Sequence, residues 1–299
     1  MKILCIGHAT YDITFPVDEF IKENTKNRVK DRVQCGGGSA ANASYLLGKW
    51  GMQVYFAGIV GIDNYGKKIK SELESVNVDT SYLELSRDYK TTSSIIIANK
   101  SNGSRTILSC TPNDMKMSEI DINITPDIIL MDGYEYEMSK KLLKKYPDAI
   151  SIMDAGTVTD EIIELSKMSN YVVCSKEFAE KITGIDIDYN DTKIIKEIYL
   201  KLKNDFNGKI IVTLENMGAL YEEDNKINIM KSLTVDAIDT TGAGDIFHGA
   251  FTYGIAKKLP FNEIIKLSNI AGAISTTIIG GRLSIPDYDK VKRILDEYR

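Results

Sequence analysis

A glycine-rich stretch that ends in an acid reads D-T-T-G-A-G-D over residues 239–245 and runs directly into a helical pattern. Apolar side chains then recur at helical spacing from Ile246 to Ile255, so we expect the glycines at the N-terminus of a buried helix. Such a turn presents unpaired backbone N–H groups at the positive end of the helix dipole. The pattern therefore predicts a binding site for a phosphate group.

Asp245 is the residue of this stretch with catalytic potential. A carboxylate beside an anion-binding turn repels phosphate unless it contacts a different group, and a substrate hydroxyl that must lose its proton is such a group. This interpretation predicts phosphoryl transfer, in which backbone amides hold the moving phosphoryl group and Asp245 aligns the attacking oxygen. An acid that only complements the helix dipole fits the spacing equally well.

The elements that must position this turn alternate between strands and helices in the second half of the chain. Buried strands are predicted at 128–131, 150–153, 171–174 and 210–214. Alternating units of this kind favour a parallel sheet covered on both faces, with ligands at the carboxyl ends of the strands. The polar residues that follow these strands, and are expected at that edge, are Asp132, Asp154, Ser175 and Glu215. Loop polarity and helix N-caps explain the same residues, and Ser175 is a good N-cap by type.

The first half predicts a strand at 3–6, a helix at 39–50 and another strand at 52–59. Short β-rich segments also occur in separated parts of the chain, and 99–104 has the composition of a hairpin turn. We interpret them as a small discontinuous sheet, a candidate lid, drawn from about 11–16, 31–36, 91–99 and 104–110. The final helix is predicted at 287–298. We find no repeat or linker and expect one domain over 1–299.

Composition excludes several classes of function. The 299 residues are 43% hydrophobic and carry a net charge of −5 without a long basic cluster, which argues against nucleic acid or a membrane as a partner. The four cysteines are scattered and are expected to be reduced core thiols. His8 and His248 have no partner at metal-ligand spacing, and His248 is expected to be a packing or surface residue. A strand directly after Lys2 leaves no room for a signal peptide, so we expect a cytoplasmic protein.

Two further glycine motifs are similar to nucleotide-binding motifs of other protein classes. Residues 36–41 fit the dinucleotide fingerprint G-x-G-x-x-A, but the acid expected about 20 residues later is missing. The fingerprint makes an NAD-dependent oxidoreductase a rival hypothesis, and the missing acid weakens it. Residues 61–68 approach a P-loop, but Lys68 stands where a hydroxyl must reach magnesium, so the match is weak.

The stretches 239–245 and 36–43 together resemble the two signatures of the ribokinase-like (PfkB) carbohydrate kinases, in the same order along the chain. The resemblance runs nearly end to end. It implies a three-layer αβα body with a mostly parallel central sheet and a small β-sheet lid. It also implies ATP-dependent phosphorylation of a hydroxymethyl group of a sugar.

The family's site residues carry over position by position. Gly242, Ala243 and Gly244 would form the anion hole, with Asp245 as the catalytic base. The resemblance assigns sugar contacts to Asp12, Gly37, Gly38 and Asn42. Desolvated hydroxyls need donors and acceptors, which a carboxylate, an amide and a close backbone supply.

For the nucleotide, Arg105 resembles an arginine that reaches the phosphates in ketohexokinase-like members, although a solvated hairpin charge is an equal alternative. Weaker resemblances place Ser175, Thr213, Gly218 and Asn269 near the nucleotide. The family's Asn-x-x-Glu motif is replaced by residues 175–178. Mg²⁺ is still expected because phosphoryl transfer needs the charge neutralised; Glu177 is a candidate ligand, and a monovalent cation near Asp239 is left open.

The substrate and the alternatives stay open at this point. A nucleoside kinase has the same fold, and a sugar-binding protein without catalysis is a second alternative beside the NAD-dependent enzyme. The expected partners are a small-molecule sugar and ATP. Exposed strand edges in the lid also favour a homodimer.

Overall fold

The computed structural model describes residues 1–297, which contain one nine-stranded sheet and one four-stranded sheet. The strands, in chain order, are β1 Lys2–Ile6, β2 Thr10–Val17, β3 Val33–Gly37, β4 Gln53–Gly61, β5 Val78–Ser86, β6 Ser93–Asn99, β7 Arg105–Cys110, β8 Ile128–Met131, β9 Ile150–Ala155, β10 Tyr171–Ser175, β11 Lys209–Thr213, β12 Ala219–Glu223 and β13 Lys226–Met230. The helices are α1 Ser39–Lys49, α2 Asn64–Ser75, α3 Tyr136–Lys145, α4 Asp160–Met168, α5 Lys176–Thr183, α6 Thr192–Asp205, α7 Ala243–Ala256, α8 Phe261–Ser275 and α9 Tyr288–Glu297.

The large sheet has the strand order β13-β12-β11-β10-β9-β8-β1-β4-β5. Every neighbouring pair from β5 to β11 is parallel, while β12 and β13 pair antiparallel at one edge. The predicted mostly parallel central sheet is confirmed. Because β8 to β11 run in the same direction, their carboxyl ends meet at one edge, as the row of polar residues predicts.

Two apolar cores lie on opposite faces of this sheet. In β1, Ile3 and Cys5 pack into the first core, and the alternate residues Leu4 and Ile6 pack into the second. This alternation is the pattern of a strand buried on both faces. Helices α1, α2, α7, α8 and α9 cover the first face, and α3 to α6 cover the second. The predicted three-layer αβα architecture is confirmed.

The small sheet has the order β3-β2-β6-β7 and joins parts of the chain that are far apart in sequence, as expected. Its strands agree closely with the predicted segments, and β6 and β7 form the predicted antiparallel hairpin. The hairpin turn touches the glycine-rich stretch of the body, where the Thr240 amide donates to the carbonyl of Gly103 over 3.2 Å. The separate small sheet is confirmed, and its action as a lid stays a prediction.

Some expectations need correction. Cys5, Cys35 and Cys174 are buried, but Cys110 is exposed, because β7 lies at the edge of the small sheet and is exposed along its whole length. The last helix agrees with its predicted position, although Tyr298 lies outside the described residues. In residues 1–297, no helix is both long enough and apolar enough to cross a bilayer.

Candidate functional site

The glycine-rich turn lies where the sequence places it, at the start of α7. Gly242 is the N-cap in the left-handed conformation, with φ of 77°, and the first intrahelical bond runs from the Ile246 amide to the Gly242 carbonyl. Helix geometry therefore leaves the N–H groups of Gly244 and Asp245 without intrahelical acceptors. A Cβ atom built on Gly244 meets nothing within 4 Å. These amides border open space, as an anion hole requires.

The turn is braced from behind by Asp239. This buried carboxylate accepts hydrogen bonds from the amides of Thr241 and Gly280, over 2.9 and 2.8 Å. The bonds fix the backbone just ahead of Gly242. A monovalent cation at this position stays a prediction.

Asp245 is half-buried at the N-terminus of α7 and is held by a second element. The Asn42 amide on α1 donates to Asp245 Oδ2 over 2.8 Å. Burial raises the pKa of Asp245, while the hydrogen bond from Asn42 opposes that rise. A carboxylate with a raised pKa accepts a proton more readily, which suits a general base.

Asn42 is itself oriented by Arg282, a side chain that is only 1% exposed. The Arg282 guanidinium donates to Asn42 Oδ1 over 3.2 Å and to the Gly37 carbonyl over 3.2 Å. It also pairs with Glu72 on α2 at 3.0 Å. Because the amide oxygen of Asn42 accepts from Arg282, its nitrogen faces Asp245.

The first glycine turn approaches the same place from the small sheet. Asp12 on β2 lies so close that a Cβ atom on Gly37 would be 2.0 Å from its carboxylate. Asp12 is 5% exposed, and its Oδ1 atom has no hydrogen-bond partner among the described residues. Burial raises the pKa of Asp12 to about 6, and the charge of Arg282 limits the rise. An orphaned buried oxygen of this kind is suited to bind a ligand hydroxyl.

Gly38 and Asp132 lie on the same side of the site as Asp12 and Gly37. Gly38 has φ of 92°, and a Cβ there would be 2.5 Å from the His8 carbonyl. Asp132 accepts from the amides of His8 and Ala40, at 2.8 and 3.1 Å, and so links β8 to the start of α1. Burial raises the pKa of Asp132 to about 6. The His8 ring stacks on exposed Tyr134 with 4.1 Å between centroids.

His248 and Asp154 form a buried pair below the glycine turn. His248 Nε2 is 3.3 Å from Asp154 Oδ1, and its Nδ1 is 2.6 Å from the Gly244 carbonyl. This partner comes from β9, far away along the chain, so spacing within the sequence does not reveal it, and the buried position of His248 agrees with the predicted packing role. Burial raises the pKa of Asp154 to about 7, and the nearby His248 opposes the rise.

The residues predicted near the nucleotide lie in two groups, of which the first is at the carboxyl ends of β10 and β11. Ser175 caps α5: its hydroxyl accepts from the Phe178 amide and donates to the Gly156 carbonyl. Thr213 ends β11 and donates to the Cys174 carbonyl over 3.3 Å. The second group consists of Gly218 and Asn269, which both contact the segment that follows β13. Their contact with a nucleotide stays a prediction.

Arg105 joins the small sheet to the glycine turn. It stands at the start of β7 and donates from Nη1 to the Thr240 hydroxyl over 2.6 Å. The same hydroxyl donates to the Gly103 carbonyl over 3.0 Å. Its charge also lowers the pKa of Asp245, although burial prevails. Arg105 is exposed and lies beside the predicted anion hole, and its contact with the nucleotide phosphates stays a prediction.

Glu177, the candidate metal ligand, is exposed in the first turn of α5 and pairs with Lys181 at 2.6 Å. In the described part of the chain, no group of three or more His, Cys, Asp or Glu side chains is placed to hold a metal ion. Magnesium keeps several waters and usually takes only one or two carboxylates beside substrate phosphates. Asp132 and Asp154 also lie at this edge, but Asp132 already accepts three backbone amides and Asp154 contacts His248, so Glu177 stays the candidate carboxylate.

Two residues that hold the site, Arg282 and Glu72, were not predicted from the sequence, and neither was the contact of His248 with Asp154. A signal for Arg282 is present, because it is the only charged residue between Lys266 and Asp287. A single charge in such a segment is expected to be paired when the segment is buried. Glu72 has no comparable signal, since acids are common on exposed helix faces.

Comparisons with known proteins extend over almost the whole chain. The family model described as pfkB family carbohydrate kinase matches residues 1–288. A ribokinase from Haemophilus influenzae is 25% identical over 306 aligned residues, which cover 97% of each chain. A nucleoside kinase from Methanocaldococcus jannaschii is 24% identical and covers 100% of this chain and 98% of its own.

Solved structures share the fold. A putative ribokinase from Agrobacterium tumefaciens superimposes with a TM-score of 0.91 at 24% identity, covering 99% of this chain and 98% of that one. The Arabidopsis thaliana ribokinase complexed with ribose and ATP gives a TM-score of 0.80 at 21% identity, with 98% of each chain covered.

Proposed function

The chain belongs to the pfkB family of carbohydrate kinases and is a phosphotransferase with an alcohol group as acceptor; from this premise we propose that it transfers a phosphoryl group from ATP to a hydroxymethyl group of a sugar. The observation that carries this proposal is Asp245. It lies half-buried at the start of α7, is held by Asn42, and adjoins amides that border open space at Gly244.

In the proposed mechanism, Asp245 accepts the proton of the sugar hydroxyl while that oxygen attacks the terminal phosphorus in line. The bond to the leaving phosphate breaks, and the transition state is loose. Backbone amides of the predicted anion hole at 242–244 stabilise the charge of the transferred group; because the Ala243 amide already donates to the Thr240 carbonyl, the amides of Gly244 and Asp245 are the free donors. Asn42, fixed by Arg282, keeps the Asp245 carboxylate directed at the hydroxyl.

Asp12, Gly37, Gly38 and Asn42 are the proposed sugar contacts. The unpartnered Oδ1 of Asp12 supports this assignment, because a buried acceptor without a donor carries a desolvation cost that a ligand hydroxyl can relieve. Arg105 would bring a positive charge to the nucleotide phosphates from the small sheet, and closure of that sheet as a lid would exclude water.

Nucleotide binding is proposed along Ser175, Thr213, Gly218 and Asn269. A magnesium ion would neutralise charge on the phosphates, held by those phosphates and by water, with Glu177 as the candidate carboxylate. The family match leaves no place for the NAD-dependent alternative. A nucleoside as the alcohol is the second candidate, favoured by the nucleoside kinase among the relatives.

The test compares Asp245→Asn with the wild type in an ADP-release assay over ribose, fructose, other ketoses, deoxyketo acids and nucleosides. Asparagine has nearly the same shape but cannot accept the proton, so we expect turnover to fall by about 10²–10⁴. Sugar binding, measured by calorimetry, should remain. Asp236→Asn is the matched control, because Asp236 is exposed on the same segment and should leave turnover unchanged.

Near-normal turnover of Asp245→Asn would exclude Asp245 as the base. If the wild type binds sugar but phosphorylates none of these substrates, the result would instead favour a sugar-binding protein without catalysis. The substrate with the highest kcat/KM identifies the alcohol.

We also propose that two copies pair through the small sheet. Its edge strand β7 is exposed along its whole length and includes Leu108 at 60% exposure, and unpaired strand edges promote association. Light scattering should give the mass of a dimer; the mass of a monomer would contradict this proposal.

A further inference from the structure

His248 is an unexpected side chain for its position. Helix α7 is buried from Ile246 to Ala256, and in this stretch His248 and Tyr253 are the ionisable groups. Its ring is 4% exposed. A buried imidazole needs a partner at each nitrogen, so the atoms that face the ring reveal what it does.

Both ring nitrogens face oxygen atoms. Nδ1 is 2.6 Å from the Gly244 carbonyl, one turn earlier on the same helix. A carbonyl oxygen only accepts, so Nδ1 bonds to it as a donor; by the same rule Nε2 bonds to the Val173 carbonyl only as a donor, or accepts from a protonated Asp154. Nε2 is 3.0 Å from the Val173 carbonyl on β10 and 3.3 Å from Asp154 Oδ1 on β9. The ring thus bridges the start of α7 and two strand ends.

The bond to Gly244 acts on the peptide group that matters most in this site. The Gly244 carbonyl belongs to the same peptide unit as the N–H of Asp245, which helix geometry leaves free at the open turn. A hydrogen bond to the carbonyl polarises the unit and strengthens donation from its N–H. The same hydrogen bond fixes the orientation of the peptide plane. Gly244 has no side chain that could fix it.

Asp154 holds the other end of the bridge. Its carboxylate lies at the carboxyl end of β9, so the sheet edge helps to set the position of the ring. Other acids whose charges act at this place are Asp132 on β8 and Asp245 on α7 itself. The arrangement is a carboxylate, an imidazole and a backbone carbonyl in sequence, which resembles the way a carboxylate orients a functional histidine elsewhere.

We propose that His248 is a positioning residue for phosphoryl transfer: its Nδ1–H holds and polarises the Gly244–Asp245 peptide, and Asp154 anchors the ring to the sheet. The inference rests on the proposed function for its kinetic consequence. Its geometric content, a proton on Nδ1 bound to Gly244, stands independently of activity.

The kinetic test compares His248→Asn with His248→Gln. The asparagine amide nitrogen reaches about where Nδ1 lies and keeps the donor to Gly244, whereas the glutamine nitrogen reaches about where Nε2 lies and loses it. We expect kcat to fall about tenfold in His248→Gln and less than about threefold in His248→Asn, with the sugar KM unchanged in both. Thr252→Val, one turn further along α7, should change the melting temperature without changing kcat.

A purely structural histidine predicts the opposite order, because glutamine is closer in volume to histidine and should be tolerated better. Equal kcat losses that follow the melting temperatures would also overturn the proposal. The Asp245→Asn result is independent of this order, so a wrong base and a wrong positioning residue are distinguishable.

The second measurement needs no activity. The chain has only two histidines, so imidazole ¹⁵N spectra contain only two ring systems, and the His248→Asn variant assigns them. From the contact with the Gly244 carbonyl we expect the His248 Nδ1 signal to be that of a nitrogen bearing a proton, while burial lowers the pKa of His8 to about 4 and keeps that ring neutral at about pH 7. An unprotonated Nδ1 on His248 would overturn the proposal even if the kinetics were as expected.

Discussion

The two glycine turns of this protein are similar in sequence, but each requires glycine for a different reason. Both turns open buried helices, α1 and α7, that pack against each other. At Gly36 an added Cβ would be 1.8 Å from the Arg282 guanidinium, whereas at Gly244 it meets nothing within 4 Å. The first turn needs glycine because protein fills the space. The second leaves the space open.

This difference separates structural glycines from those that leave room for a ligand. In the first turn, Asp12, Arg282 and Glu72 press against the backbone, and the Glu72 carboxylate accepts from the Gly36 amide over 2.8 Å. In the second turn, the amides of 244 and 245 face the open side. Substitution by alanine should therefore reduce stability in one turn and activity in the other.

The largest effect is expected for Gly36→Ala. The methyl group would displace the buried Arg282 from Glu72, which adds overpacking to a broken buried ion pair, at a cost of about 3–5 kcal/mol in the free energy of unfolding. Urea denaturation measures it. In an Arg282→Ala background the same substitution should cost much less, and an equal cost in both backgrounds would show that the clash with Arg282 is not the cause.

A different outcome is expected for Gly244→Ala. The free energy of unfolding should stay within about 1 kcal/mol of the wild type or rise, because alanine favours the helix. Turnover should fall about 10²–10³-fold, since the methyl group occupies the anion's space and weakens donation from the amides. Steady-state kinetics beside a thermal melt measures both. A stable variant with normal kcat would contradict an anion hole at this turn.

The smallest effect is expected for Asp12→Asn, next to the first turn. Measurements at several pH values separate its effect on stability from its effect on sugar binding. Since the pKa of Asp12 is raised to about 6 from 3.8, its contribution to stability is fully present below 3.8 and is lost as the pH rises through about 6. Asp12→Asn cannot ionise. It should gain about 1–3 kcal/mol over the wild type above about pH 7 and nothing below about pH 4.

Denaturation at several pH values measures the gain from Asp12→Asn. The sugar KM should rise about tenfold in the same variant, because the hydroxyl loses a charged acceptor. A gain that does not depend on pH would show that the pKa of Asp12 is the same in the folded and unfolded states. An unchanged KM would remove Asp12 from the sugar contacts.

Prediction from sequence succeeded where a pattern is local and failed where contacts are distant. The buried strands, the helix after Gly244 and the row of polar strand ends all follow from spacing within short windows, and the structure contains them. The contact of His248 with Asp154 could not be predicted from the sequence, because α7 and β9 are far apart along the chain. Arg282 was missed although it is isolated in an uncharged segment, since nothing local indicates that Glu72 and Asn42 lie beside it.

By itself the sequence determined the alternation of elements, the three layers and the glycine turn at the start of α7, because periodic burial and glycine content act within one or two turns of chain. Only the tertiary structure decided how Asp245 is held. Its partner Asn42 is 203 positions away, and the next partner, Arg282, is 240 positions from Asn42. Hydrogen bonds of this kind depend on how α1, α7 and the sheet pack together, and that packing is a property of the whole fold.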